Sequence, residues 1–188
     1  MADLVTLQEY KNYAGITNPN QDTQINSIIP KVSDFVKTYC NRAFLEYVSD
    51  PKTEVFAGGF RYLLKEFPVV QVLSLEYSSD YGNTYVELEE YVSWVFDNTT
   101  GEVIPIGNLT EFDKKPNSYK VTYFAGFETL PGDLKLAVLD LVTYYLRNDS
   151  AIHSTKAPGS NSVQIEYIST TNLPSHIKRV LDLYVNYY

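Results

Sequence analysis

The sequence predicts an α+β fold: helices packed with an antiparallel β-hairpin sheet, followed by a C-terminal linker and an amphipathic helical arm. Three observations carry this expectation. Apolar residues recur at helical spacing before Phe44 and after Leu130. Between about Phe44 and Val121 they alternate with polar residues, as in strands half-covered by a core. Across Ser150–Ser162 large apolar groups become sparse and Ser, Ala, Pro and Gly take over. The expected organisation is therefore a body of residues 1–149 and a linker with its arm at 150–188.

Thr6, with Glu9 three residues on, forms a capping box that opens a short helix, and Gly15 closes it. A turn around Pro19 leads to Asp22, expected to cap a longer helix. Ile25, Ile28, Ile29, Val32, Phe35, Val36, Tyr39 and Cys40 share one of its faces. Pro30 lacks a backbone donor and is expected to kink or split it. Short strands follow, punctuated by Pro51 and Gly58–Gly59, then a longer one at Val69–Tyr77 and a turn at SSDYGN. The next segment, TYVELEEYVSWVFD, places Trp94 and Phe96 on one face, and Glu89–Glu90 interrupt it. A turn at Asn98–Gly101 leads into a further strand, and the last strand runs from Tyr119 towards Phe124.

LPGDLKLAVLDLVTYYLRND is the strongest helix, with Leu134, Ala137, Val138, Leu141, Val142 and Tyr145 on a broad stripe. Leu136, Leu139 and Leu146 extend its apolar surface to further sides. VQIEYIST alternates Val163, Ile165 and Tyr167, a strand able to join its own or a neighbour's sheet edge. In the closing stretch Leu173–Tyr188, Ile177, Val180, Leu181 and Tyr184 fall at i, i+3, i+4 and i+7. Pro174 suits a first helical turn, and Leu183 and Tyr187 add a second apolar edge.

The net charge of −8 is concentrated: residues 50–144 carry −8, residues 1–49 carry −1 and residues 145–188 carry +1. An acidic middle repels a polyanion, and no stretch clusters basic residues with aromatics, so a nucleic-acid grip is not expected. Seventeen tyrosines are far more than usual and suit half-buried contact surfaces, or equally the strands of a β-rich domain. Cys40 is the sole cysteine and lies on an apolar stripe, so it reads as a core thiol. The start MADLVTLQEY lacks a basic and an apolar signal region, and no run approaches the roughly eighteen apolar residues of a membrane span. The expected setting is the cytoplasm, without a membrane.

Residues that could carry chemistry are few. His153 and His176 have no partner at metal-ligand spacing, and no phosphate loop, nucleophile elbow or dinucleotide fingerprint is present. Glu87 with Glu89–Glu90 imitates a carboxylate site, yet acids on a hairpin are ordinarily a solvated edge. No catalytic residue, cofactor or metal is expected.

Four pieces in this order resemble the head–tail connector (adaptor, or head-completion) family of tailed bacteriophages. LVTLQEYKNYAGIT with FVKTYCNRAF is similar to the family's N-terminal helical pair. FPVVQVLSLEY and YGNTYVELEEYVSWVFDNTTGEVIP resemble the β-hairpin insert of its larger members. YKVTYFAGFETLPGDLKLAVLDLVTYYLRND resembles the strand, glycine turn and long helix that follow, and LPSHIKRVLDLYVNYY the closing segment. Two departures stand out. Pro30 interrupts a helix usually unbroken, and the end lacks the family's proline and terminal basic residue.

The resemblance implies a structural protein of the virion neck. It implies a ring of identical subunits under the portal protein, matching the portal's twelve-fold symmetry, with a tail or stopper protein below and DNA passing through unbound. Leu173, Ile177, Val180, Leu181, Tyr184, Tyr187 and Tyr188 then become the expected portal or subunit interface. Glu87, Glu89 and Glu90 become the expected channel-facing acids. A second class stands beside it: a monomeric β-rich ligand- or carbohydrate-binding module, suggested by Tyr81, Tyr85, Tyr91 and Trp94.

Overall fold

The structure is a computed structural model, described here for residues 2–147, 153–156, 163–166 and 173–187. In chain order its elements are α1 (Leu7–Ala14), α2 (Asp22–Cys40), β1 (Lys52–Phe56), β2 (Tyr62–Leu63), β3 (Val69–Tyr77), β4 (Val86–Leu88), β5 (Trp94–Asp97), β6 (Glu102–Pro105) and β7 (Tyr119–Ala125). Then come α3 (Gly132–Leu146), β8 (His153–Lys156), β9 (Val163–Glu166) and α4 (Ser175–Asp182). The chain forms two compact units: a helical one from Met1–Arg42 with Leu130–Tyr187, and a β unit from Ala43–Thr129.

In the helical unit, the capping box forms as expected. Thr6 Oγ1 accepts from the Glu9 amide at 3.2 Å, Glu9 Oε2 accepts from the Thr6 amide at 2.8 Å, and Gly15 adopts φ 68°. The α2 helix starts with Asp22 as its first residue and Gln21 as its cap, and the Asp22 carboxylate instead pairs with Lys11 at 2.8 Å. Pro30 does not split α2. It lies on the exposed side, four residues after exposed Asn26, so water can reach the carbonyl that loses its helical donor. The opposite face buries Ile25, Ile29, Val32, Val36 and Cys40, while Phe35 and Ile28 are half-buried.

Helix α3 packs on α2 and buries Leu134, Val138, Leu139, Leu141 and Val142, whereas Tyr145 is half-buried and Leu136 exposed. Polar ties link α1 to α3: Tyr10 Oη lies 3.1 Å from Thr143 Oγ1, and Lys135 Nζ lies 2.5 Å from Glu9 Oε1. Strands β8 and β9 pair antiparallel with each other as a two-stranded ladder.

The β unit holds two antiparallel sheets where one hairpin sheet was expected: a four-stranded sheet in the order β1-β7-β3-β4 and a three-stranded one in the order β2-β6-β5. The division follows from strand length. The interruption at Glu89–Glu90 ends β4 after three residues, leaving β5 to pair across the Asn98–Gly101 turn with β6. Between the sheets lies an aromatic core in which Phe56 stacks on Tyr62 at 3.8 Å and meets Phe112 edge-on at 5.2 Å. Two register shifts in β3, at Val69/Gln71 and Val72/Ser74, turn Val70 and Leu73 out to solvent. Gly126 needs its missing side chain: at φ 106° a Cβ would stand 2.3 Å from the Phe44 carbonyl oxygen.

Candidate functional site

The C-terminal segment is a short helix with a tail. Pro174 is its cap, and α4 ends at Asp182. Ile177 and Leu181, four residues apart, point inward and are 2% and 0% exposed, packed with α2 and α3. Leu173, Val180 and Tyr184 are half-buried, Tyr187 is 82% exposed, and Tyr188 lies outside the described residues. The helix expected to stand off as an arm is thus seated on its own chain, and its apolar stripe is divided. The inner part closes the helical core, and Leu183 and Tyr187 face solvent.

Hydrogen bonds fasten this seat. Tyr39 Oη donates to Asp182 Oδ1 at 2.6 Å, Tyr184 Oη to Asp133 Oδ1 at 2.7 Å, and the Asn186 amide to the Cys40 carbonyl at 2.8 Å. The Tyr39 hydroxyl and Lys178 hold the Asp182 carboxyl below its usual range, and the Tyr184 hydroxyl does the same for Asp133. Burial and the nearby Asp133 push the Tyr184 phenol up to about 12, and burial pushes the Cys40 thiol up to about 12. A thiol so placed stays protonated and inert.

In the β unit, Glu87, Glu89 and Glu90 are all exposed, gathered with Leu73, Leu88 and Trp94 around a shallow cleft of about 390 Å3. Glu87 sits opposite Glu76 in the ladder, where like charges repel, and Lys120 lies 2.5 Å from Glu76. The unit carries six basic and fourteen acidic side chains, against nine of each in the helical unit, so the whole net charge of −8 belongs to the β unit.

The four aromatic residues behind the ligand-binding alternative do not form one platform. Trp94 is buried with its indole N–H donating to the Leu88 carbonyl at 3.0 Å. The half-buried Tyr85 ring carries Lys120 Nζ at 4.5 Å from its centre, and its hydroxyl donates to the Asn117 carbonyl. Tyr81 and Tyr91 stand exposed on separate loops.

A buried polar cluster went unnoticed in the sequence. Glu54 accepts from Tyr123 Oη at 2.7 Å and Tyr62 Oη at 3.1 Å, while Glu66 accepts from the Ala43 and Phe44 amides. Lys52 Nζ lies between the two carboxylates, 3.1 Å from Glu54 and 3.8 Å from Glu66. Tyr123 Oη also accepts from the Glu66 amide at 3.1 Å, and burial, then Glu54, raises the pKa of both phenols. Each member has protein partners, and the cluster fastens Ala43 and Phe44 to the sheet. Its sequence signal was Glu54, an acid on the inward side of a strand two residues before buried Phe56. Among the described residues no group of His, Cys, Asp and Glu is arranged to hold a metal ion.

Residues 3–187 match the family model described as head completion protein. No curated protein matches in sequence. The fold is similar to a chain in the neck of an empty gene transfer agent particle computed with C6 symmetry, with TM-score 0.62 at 15% identity over 98% of this chain and 91% of that one. It is also similar to one in the neck of the native particle computed with C12 symmetry, with TM-score 0.59 at 14% identity over 100% and 95%. A chain of the native particle's virion gives TM-score 0.59 at 14% identity over 98% and 91%.

Proposed function

The chain belongs to the head completion protein family, and from that premise we propose how this head–tail connector does its work in the virion neck. The observation that carries the reading is the family match across residues 3–187, together with a fold shared over 98% of the chain with a particle neck. The role is structural. Identical subunits form a ring under the portal protein, twelve-fold like the portal, extend its channel and present a lower rim to a tail or stopper protein.

The division of charge supports DNA passage. An acidic β unit repels the phosphate backbone, so DNA slides past instead of releasing counterions into a tight complex. Glu87, Glu89 and Glu90 belong to the wall bordering that channel. The C-terminal segment supplies the joint to portal or to the next subunit through the side chains that α4 leaves outside, Tyr187 and Leu183 first, flanked by half-buried Val180, Tyr184 and Leu173. Ile177 and Leu181 set the position of this surface from within.

Sedimentation of the full chain with its cognate portal protein, followed by electron microscopy of the fast fraction, tests the reading. The expected result is a portal-sized complex bearing an added annulus. A chain that stays at its monomer mass of 21.4 kDa beside intact portal refutes it.

A further inference from the structure

The β4 edge of the β unit is unusually apolar for an exposed, acidic surface. Strand β4 is three residues long, and the loops at its two ends carry Tyr81 and Tyr91, which are 64% and 77% exposed. Val86 on the strand and Val92 beyond it are exposed as well, so this short edge and its two flanking loops expose four large apolar side chains interleaved in sequence with the exposed acids Glu87, Glu89 and Glu90. A single exposed apolar residue needs no explanation, but four large ones at one sheet edge, interleaved with acids, mark a contact.

The backbone gives a second, independent sign. Both Tyr81 and Tyr91 adopt φ 62°, in the left-handed region where Asn or Gly sits easily and a bulky side chain is strained. Neither ring recovers that strain by burial within its own chain. A large ring held strained and wet at a loop tip is repaid when a partner covers it.

The helical unit offers a matching surface. Leu183 and Tyr187 are 77% and 82% exposed just beyond α4, and the exposed Arg179 lies one turn before Leu183. This patch is apolar and basic where the ridge is apolar and acidic. Its own unit is neutral overall, so it avoids the repulsion of setting two β units of charge −8 against each other.

We propose that the β4 ridge of one copy is covered by the C-terminal patch of the next copy. Tyr81 and Tyr91 pack against Leu183 and Tyr187, and Arg179 faces Glu87, Glu89 and Glu90. The two surfaces belong to different units, so the contact is heterologous, the kind that closes a ring by repetition. The seam then borders the acidic channel wall, and the inference rests on the ring reading above.

Cysteine pairing in the full-length chain tests it, because the native Cys40 is buried and contributes no background. Tyr91→Cys and Tyr187→Cys are made singly and together, and rings are assembled on cognate portal and mildly oxidised. The double variant should give a ladder of covalent multimers, an equal mixture of the two singles should stop at dimers, and each single alone should stay monomeric. Covalent dimers from Tyr91→Cys alone would mean a two-fold contact and overturn the proposal. Rings that assemble yet never cross-link overturn this contact while leaving the connector reading intact, whereas failure to form rings with native protein overturns both. A second variant, Tyr81→Asn with Tyr91→Asn, relieves the backbone strain. Its melting temperature should hold or rise while ring yield falls at least about ten-fold, the size of effect expected for interface anchors. A fall in melting temperature would show that the two rings serve the chain's own fold and would also overturn the proposal.

Discussion

Leu181→Ala asks whether α4 belongs to the folded helical unit or waits for a partner. Leu181 is fully buried, and its carbonyl lies 3.7 Å from the Cys40 sulfur. Removing three buried carbons from such a site costs about 2–5 kcal/mol, the spread depending on how far the cavity collapses. Burial of Ile177 and Leu181 contributes roughly 1.5–3 kcal/mol each, less the ordering of a short terminal helix. The substitution therefore removes much of what seats α4. In a chain of this size about 2–4 °C of melting temperature go with each kcal/mol, so the expected fall is roughly 4–20 °C. Scanning calorimetry reads the global effect, and trypsin reads the local one, because Lys178 and Arg179 lie within α4. Cleavage there should accelerate sharply in the variant and stay slow in the native chain. A shift below about 1 °C with unchanged cleavage, ordinary for a surface site, would refute the seating of α4 and restore the free arm that its composition suggests.

Tyr123→Phe should destabilise the β unit by about 1–3 kcal/mol, since it strips a donor from buried Glu54 and an acceptor from the Glu66 amide; urea titration showing less than about 0.5 kcal/mol would mean water fills the gap. Acid should loosen α4, because the depressed carboxyls of Asp182 and Asp133 stabilise it fully above their unfolded pKa near ~3.9 and lose that effect as pH falls through the lower folded values. The raised phenol of Tyr184 acts in the opposite sense, its contribution complete below about 10 and lost as pH rises through about 12. Hydrogen exchange of the α4 amides against pH should thus show a plateau with an acid and an alkaline limb, and Tyr39→Phe with Tyr184→Phe should flatten both; unchanged limbs would place the titrating groups elsewhere.

Local patterns were readable from residues a few positions apart. The Thr6–Glu9 box, the closure at Gly15, the stripes of α2 and α3 and the break at Glu89–Glu90 all follow from such spacing. Sheet order was not readable. Strand β7 lies between β1 and β3, whose paired residues stand roughly forty or more positions away in the chain, and nothing in an alternating pattern names its neighbour. The candidate surfaces show the same limit. The spacing of Ile177 and Leu181 announced a buried stripe, but a stripe does not say whose surface covers it, and Asp133 and Tyr39 are distant in sequence. Pro30 leaves α2 continuous, because its cost depends on which side of the helix it occupies, and that side is exposed.

The β unit is continuous in the chain, whereas the helical unit is assembled from two pieces that flank it. During synthesis the first piece, α1 with α2, leaves the ribosome with the buried faces of Ile25, Ile29 and Val32 lacking their α3 cover. It must wait until the whole β unit has emerged before α3 can reach it. The β unit needs nothing from upstream to complete its sheets and is free to fold in the interval, bringing residues 43 and 129 to fixed positions. In doing so it shortens the loop that the helical unit must close, from nearly ninety disordered residues to a folded insert, and so lowers the entropy of joining the two pieces. A nascent chain stalled after β7 would thus already hold its acidic sheets in place, with two amphipathic helices exposed to chaperones.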